Sequence, residues 1–245
     1  MNSPVGRLVR TELKLMRREP LTLIFVLAFP VVTMLIIGGA FGTKPDPSFG
    51  GVNPSHWYVA SYFTVVIGAM GLVMLPVHLA AYRERGVLRR LAAGGFPRWS
   101  FALSQLLTGF VAVVVSSAAL LAVAAPVYGI PAPHDWVRVI AGVLLGTIAF
   151  TSLGVLLGTL VRSARAAQAI GLLLFFPSFL LGAGGPPPHA MGAALRSIAS
   201  YSPLTWMTAA IRSPWLGNGT ASGSLAMVAV MAVIGVAAGL RRSAI

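Results

Sequence analysis

Residues 57–81 read WYVASYFTVVIGAMGLVMLPVHLAA, with no Asp, Glu, Lys or Arg among them. A helix of that length, rising about 1.5 Å per residue, crosses the roughly 30 Å hydrocarbon core of a bilayer. In lipid, its backbone must satisfy itself through helical hydrogen bonds. Five further stretches of the same kind surround it: Leu21–Phe41, Phe101–Tyr128, Val139–Val161, Ala166–Ala183 and Leu225–Leu240. Hydrophobic residues make up 57% of the chain and charged ones 9%, with mean hydropathy +0.85. A soluble domain carries about 25% charged residues to satisfy water. The expected fold is therefore all-α, a polytopic membrane protein with six transmembrane helices. The absence of cysteine removes disulfide and thiolate chemistry.

An even number of spans puts both termini on one side of the membrane. With that side cytoplasmic, fourteen of the 18 basic residues lie inside and only Lys44, Arg138, Arg196 and Arg212 outside. This is the positive-inside asymmetry, and it predicts a multi-pass protein of the inner (cytoplasmic) membrane with both termini cytoplasmic. It also accounts for the net charge of +13 without nucleic acid, because basic residues flanking spans meet anionic lipid headgroups. The first span exceeds the apolar run of a cleaved signal and follows a long basic segment, so it reads as retained.

Residues 1–20 read as an amphipathic helix at the inner interface, opened by a Ser3 cap with Pro4 at the first helical position. Val5, Leu8, Val9, Leu13, Leu15 and Met16 share one face, and Arg7, Arg10, Lys14, Arg17 and Arg18 oppose it. Glu12 falls inside the apolar arc, where a carboxylate needs a partner; an arginine from the inner ends of the spans is the expected one, the alternative being a side chain that snorkels out to water. The connection from Tyr82 to Ser100 is the longest on the cytoplasmic side. Val87, Leu88 and Leu91 form a short apolar face there among Arg85, Arg89 and Arg90, and Gly94-Gly95 with Pro97 end it.

Three segments resemble the ABC type-2 transporter permeases, a family that includes antibiotic exporters of the daunorubicin type. They are Glu12-Leu-Lys14 through Arg17-Arg18-Glu19-Pro20 with Phe29-Pro30; Arg83-Glu84-Arg85-Gly86 with Leu88, Leu91 and Pro97-Arg98; and Phe176-Pro177-Ser178-Phe179-Leu180 through Pro186–Pro188 to Tyr201-Ser-Pro-Leu-Thr-Trp206 and Arg212. The sequence departs from the family in having Glu84 as the only acid of the second segment and Leu181-Gly182 where a serine-glycine pair is common. The resemblance implies a membrane-spanning permease subunit of an ATP-driven exporter. It would work with two cytoplasmic ABC ATPase subunits and a second permease, identical or homologous. ATP and Mg would be bound by the ATPase, with no cofactor in this chain.

Residues of about 83–94 would be the coupling helix, with Arg83, Glu84, Arg85, Val87, Leu88, Arg89, Arg90 and Leu91 at the ATPase contact. Residues 1–20 would be the connecting helix, using Glu12, Arg17 and Arg18, and residues 21–245 the membrane domain. About 184–217 would form re-entrant outer helices between spans five and six. In the family the first, second and fifth spans face the cavity between two permeases. Phe25, Phe29, Tyr58, Tyr62, Phe63, Phe175, Phe176 and Phe179 would then line a path for an amphipathic drug-like or lipid-like substrate.

The residues themselves support the outer segment, because prolines at 186–188, 203 and 214 interrupt an apolar stretch carrying Trp206 and Trp215, and tryptophan favours the interface. No G-x-x-x-x-G-K-[ST] occurs, so another polypeptide must hydrolyse any ATP used. There is no G-x-S-x-G, no H-E-x-x-H and no carboxylate cluster near the spans, which argues against an intramembrane enzyme or a metal site. The alternative is an ATPase-independent secondary transporter or channel, which would place ionisable groups inside the membrane; His78 is the single candidate. Gly142, Gly146, Gly154 and Gly158 predict close helix contacts within the subunit.

Overall fold

In the computed structural model, which describes residues 3–42 and 44–243, every regular element is helical. Helix α1 (Pro4–Met16) precedes a long rod built from α2 (Pro20–Leu23), a π-helical turn (Ile24–Ala28) and α3 (Phe29–Ala40). A second rod runs through α4 (Pro54–Ala69), a π-helical turn (Met70–Met74) and α5 (Leu75–Glu84). Then come the short α6 (Val87–Ala93), α7 (Arg98–Tyr128), α8 (Trp136–Leu160), α9 (Ala164–Gly182), α10 (Ala193–Ser200), α11 (Pro203–Leu216) and α12 (Ser222–Ser243). All six apolar stretches are therefore helices. Four helical segments among the described residues are long and apolar enough to cross a membrane: Pro47–Glu84, Leu103–Tyr128, Trp136–Leu160 and Ala164–Gly182. The first and last stretches keep shorter apolar helices, Val26–Ala40 and Ser222–Ala238.

Local chemistry starts these helices where they start. Ser3 accepts from Gly6 N at 3.2 Å, with Pro4 at the first turn. Asn53 accepts from Ser55 N before Pro54, and Ser163 accepts from Ala166 N. At the start of α8, Asp135 accepts from Arg138 N at 3.0 Å and pairs with the Arg138 guanidinium at 2.6 Å. The backbone hydrogen bond is the main reason its carboxyl lies below the ordinary aspartate value.

The second rod is the mast of the bundle: 83% of its apolar window is buried, against 22% for α9. Its neighbours come close because glycines face it. A Cβ on Gly71 would strike the carbonyl of Phe150 in α8, and one on Gly154 would strike the carbonyl of Gly71. A Cβ on Gly171 of α9 would meet the Leu72 carbonyl. Gly158 packs on the Leu79 side chain, while Gly142 and Gly146 receive Ile211 and Met207 of α11. The two glycine pairs expected on the fourth span thus serve two partners: Gly142 and Gly146 admit α11, and Gly154 and Gly158 admit the mast.

Two prolines explain the π-helical turns. Pro30 has no N–H to give to the Val26 carbonyl, and Pro76 none to Leu72. The chain widens just before each proline, and Ser116 of α7 donates its hydroxyl to the freed Val26 carbonyl. Pro177 lies inside α9 without a π-helical turn before it.

Helix α11 lies among α4, α8, α9 and α12. Leu204, Met207 and Ile211 are fully buried there, and Thr208 meets Thr64 at 2.9 Å. The α7–α8 connection pins its far end, with His134 N and Asp135 N donating to the Trp215 and Pro214 carbonyls and Trp215 Nε1 donating to Pro131 O.

Candidate functional site

The mast ends in the hairpin that the sequence singles out. Gly86 at φ +67° and Gly95 at φ +78° take the left-handed backbone that a side chain disfavours, so α6 is bracketed by two sharp turns. The short helix is Val87–Ala93; Arg83 and Glu84 belong to the last turn of α5. This splits the expected coupling residues into two groups with different surroundings.

Arg83 and Glu84, though exposed, reach across to the ends of the neighbouring helices. Arg83 Nη1 donates to the Thr159 carbonyl at 2.7 Å and, more weakly, to Gly158 and Val161, covering orphan carbonyls at the end of α8. Glu84 Oε1 accepts from Ala164 N, the first residue of α9, at 3.3 Å. A cation at a helix C-terminus and an anion at an N-terminus both favour the macrodipoles. Together they tie the α8–α9 turn to the base of the mast. Arg85, Arg89 and Arg90 are exposed, while Val87, Leu88 and Leu91 are only half-buried. Arg90 turns back to the Arg85 carbonyl at 3.2 Å. Helix α6 therefore carries an apolar row with one side uncovered and basic groups around it.

Helix α1 packs along α7, and Arg7 stacks over Phe96 just beyond α6, 5.6 Å from the ring centre. Arg17 and Arg18 are exposed at its end. Leu15, expected on the apolar face, is 40% exposed. Glu12 is buried, but no arginine pairs with it among the described residues: Tyr82 donates its hydroxyl to Glu12 Oε2 at 3.0 Å. The reason is geometric and energetic. Arg83 is engaged by carbonyls and Arg85 turns outward, and a neutral donor spares the site the desolvation of a second charge. Nearby, His78 Nε2 lies 2.6 Å from Glu19 Oε2.

The expected substrate-path aromatics divide as well. Phe29, Phe175, Phe176, Phe179 and Tyr62 form one cluster with ring centres about 6 Å apart. Only Phe176, at 40%, is exposed. Phe63 goes elsewhere, onto Trp215 at 4.9 Å, and Tyr58 packs with Phe41 and Phe49. The side chain of Phe25 lies outside the described part of the structure. Arg212 of α11 is buried, stacks on Trp57 at 3.6 Å and donates to Ser61 Oγ at 3.2 Å. Sequence reading missed the polar lining under α1, although Gln105 and Thr108, one turn apart in an apolar stretch, were the available signal.

The sequence profile of the ABC-2 type transporter family matches residues 5–215. Over 167 residues the chain is 26% identical to the inner membrane transport permease YhhJ of Escherichia coli K12, and equally to the protein of that name from Shigella flexneri. The match takes in 67% of this chain and 42% of either relative, so the chain spans less than half the length of the permeases it resembles.

Proposed function

Because the chain belongs to the ABC-2 type transporter family, a family of multi-pass membrane transport subunits rather than catalytic domains, we propose that it is the permease of an ATP-driven exporter. The observation that carries this reading is α6. A seven-residue helix held between two glycine turns leaves Val87, Leu88 and Leu91 partly uncovered amid exposed arginines. An apolar row with a basic rim fits a groove on a cytoplasmic protein, and the partner is two ABC ATPase subunits that bind ATP and Mg. Arg83 and Glu84 would pass the push from α6 into α8 and α9, whose ends they hold. Helix α1, with Glu12, Arg17 and Arg18, would be the connecting helix beside it.

A second permease, identical or homologous, completes the pathway. The exposed side of α9, with Phe176 next to the buried aromatic cluster, is apolar and uncharged, which suits an amphipathic drug-like or lipid-like substrate entering from the cytoplasm or inner leaflet. The layout is six spans in the inner membrane with both termini cytoplasmic. Helices α10 and α11 are re-entrant on the outer side, since α11 at 14 residues is shorter than the ~20 a span needs.

Reporter fusions test the layout. Those at Asp46 and Asp135 are expected outside and those at Arg90 and Arg162 inside; an Arg90 reporter on the outer face would overturn it. Proteoliposomes test the function. Transport is expected only when this chain is reconstituted with its ATPase and ATP. Transport that persists without the ATPase would instead support a secondary transporter or channel.

A further inference from the structure

Beneath α1 lies a small pocket, walled by Met16, Met70 and Leu75 and carrying a few polar groups, that the coupling role of the hairpin does not use. Glu12, 6% exposed, closes a cavity of about 20 Å³ lined also by His78, Gln105, Thr108 and Thr151. Gln105 Nε2 and Thr108 Oγ1 are buried there without a hydrogen-bond partner among the described residues. A cavity of that size holds one water, provided it finds two to four polar partners, and the lining supplies them. Among the described residues, the ionisable groups facing Glu12 are His78 and Tyr82 from α5 and Glu19 from the link after α1. From α7 and α8 the polar groups lining the pocket among the described residues are Gln105, Thr108 and Thr151. No lysine or arginine forms an ion pair with Glu12 among the described residues.

A buried carboxylate is costly to keep charged, whereas the neutral acid both donates and accepts. We propose that Glu12 is a proton-binding site: as a neutral carboxylic acid, bridged by one internal water to Gln105 and Thr108, it seats α1 on the bundle. The inference stands on the packing around Glu12 and does not depend on the exporter reading. Burial pushes the Glu12 carboxyl above the ordinary glutamate value, against the Tyr82 hydroxyl and His78, which favour its charge. A group whose value is raised by folding stabilises the fold below its unfolded value, and that stability is lost as pH rises through the raised value. Ionisation sends the proton to water and leaves a carboxylate held chiefly by Tyr82. The seat of α1 then loosens on the alkaline side.

The chain has only five acidic residues, so infrared spectroscopy of the purified full chain in lipid nanodiscs can assign a protonated carboxyl. A carboxylic-acid band is expected to persist above the ordinary glutamate range, about 4.3, to survive in Glu19→Gln and to vanish in Glu12→Gln. Tyr82→Phe removes a donor that favours the anion, so the midpoint should move upward by about half a unit to one unit. The chain has no native cysteine, so spin labels on single cysteines at Arg10 and Leu107 report the α1–α7 separation. It should lengthen with rising pH in the parent and stay short in Glu12→Gln. No acid band above that range, a band that survives Glu12→Gln, or a midpoint unmoved by Tyr82→Phe would each overturn the site. If Glu12→Gln does not accumulate, the Tyr82→Phe midpoint decides alone.

Discussion

Gly154→Ala and Gly71→Ala are expected to disable assembly of the bundle, although each adds a single methyl group. At both positions the added carbon meets a backbone carbonyl rather than the end of a side chain. Side chains relieve crowding by changing rotamer; a carbonyl in a helix moves only if the helix moves. Inserting a methyl into a packed core costs about 1–3 kcal/mol when neighbours can adjust, and these sites should reach the upper end or exceed it. The crossing of α8 over the mast also fixes where α11 inserts, so the damage should spread outward. Gly158→Ala meets the Leu79 side chain and should cost less. Gly223→Ala, with open space around it, should behave as the parent. Folded protein recovered from membranes, and resistance to unfolding in detergent, should therefore rank Gly223→Ala, Gly158→Ala, then Gly154→Ala and Gly71→Ala. Equal recovery of all four would mean that the helices do not cross this closely.

The second large effect concerns α6. Leu88→Asp and Leu91→Asp place a charge in the apolar row while leaving the glycine turns and the Arg83–Glu84 ties intact. Full burial of a leucine contributes about 1.5–3 kcal/mol, and less where a short helix is only partly covered. A few residues usually dominate such contacts. Each variant should insert normally, yet lose ATPase association or substrate-stimulated hydrolysis by tenfold or more, a factor that corresponds to about 1.4 kcal/mol. Arg83→Ala should differ in kind: it uncovers the Gly158, Thr159 and Val161 carbonyls and should weaken transmission more than binding.

The membrane helices were legible because nothing charged interrupts them, and their ends were legible wherever Ser, Asn, Asp, Pro or Gly stands at a cap. The inner arrangement was less legible. The apolar row of α6 shows in sequence, but Arg83 and Glu84 look like part of the same basic loop. Only the fold reveals that they cap two other helices. Glu12 stood out by its place on the helix, while its partner depended on which neighbour could approach, and that is a matter of three-dimensional packing. Prolines at 203 and 214 and Arg212 mark 203–216 as a short outer helix in sequence, but not as one buried among four others. Its burial follows from the space that Gly68, Gly142 and Gly146 leave for Leu204, Ile211 and Met207.

The central claim is that α6 docks on a separate ATPase. A photo-reactive amino acid at position 88, in the otherwise unchanged chain expressed with its neighbouring ATPase, tests it most directly. An adduct between the chain and the ATPase is predicted, weakened by Leu91→Asp and absent when the reactive group is moved to exposed Leu173 on α9. Cross-links from position 88 to lipid alone, with the ATPase present and active in the same membranes, would contradict the account.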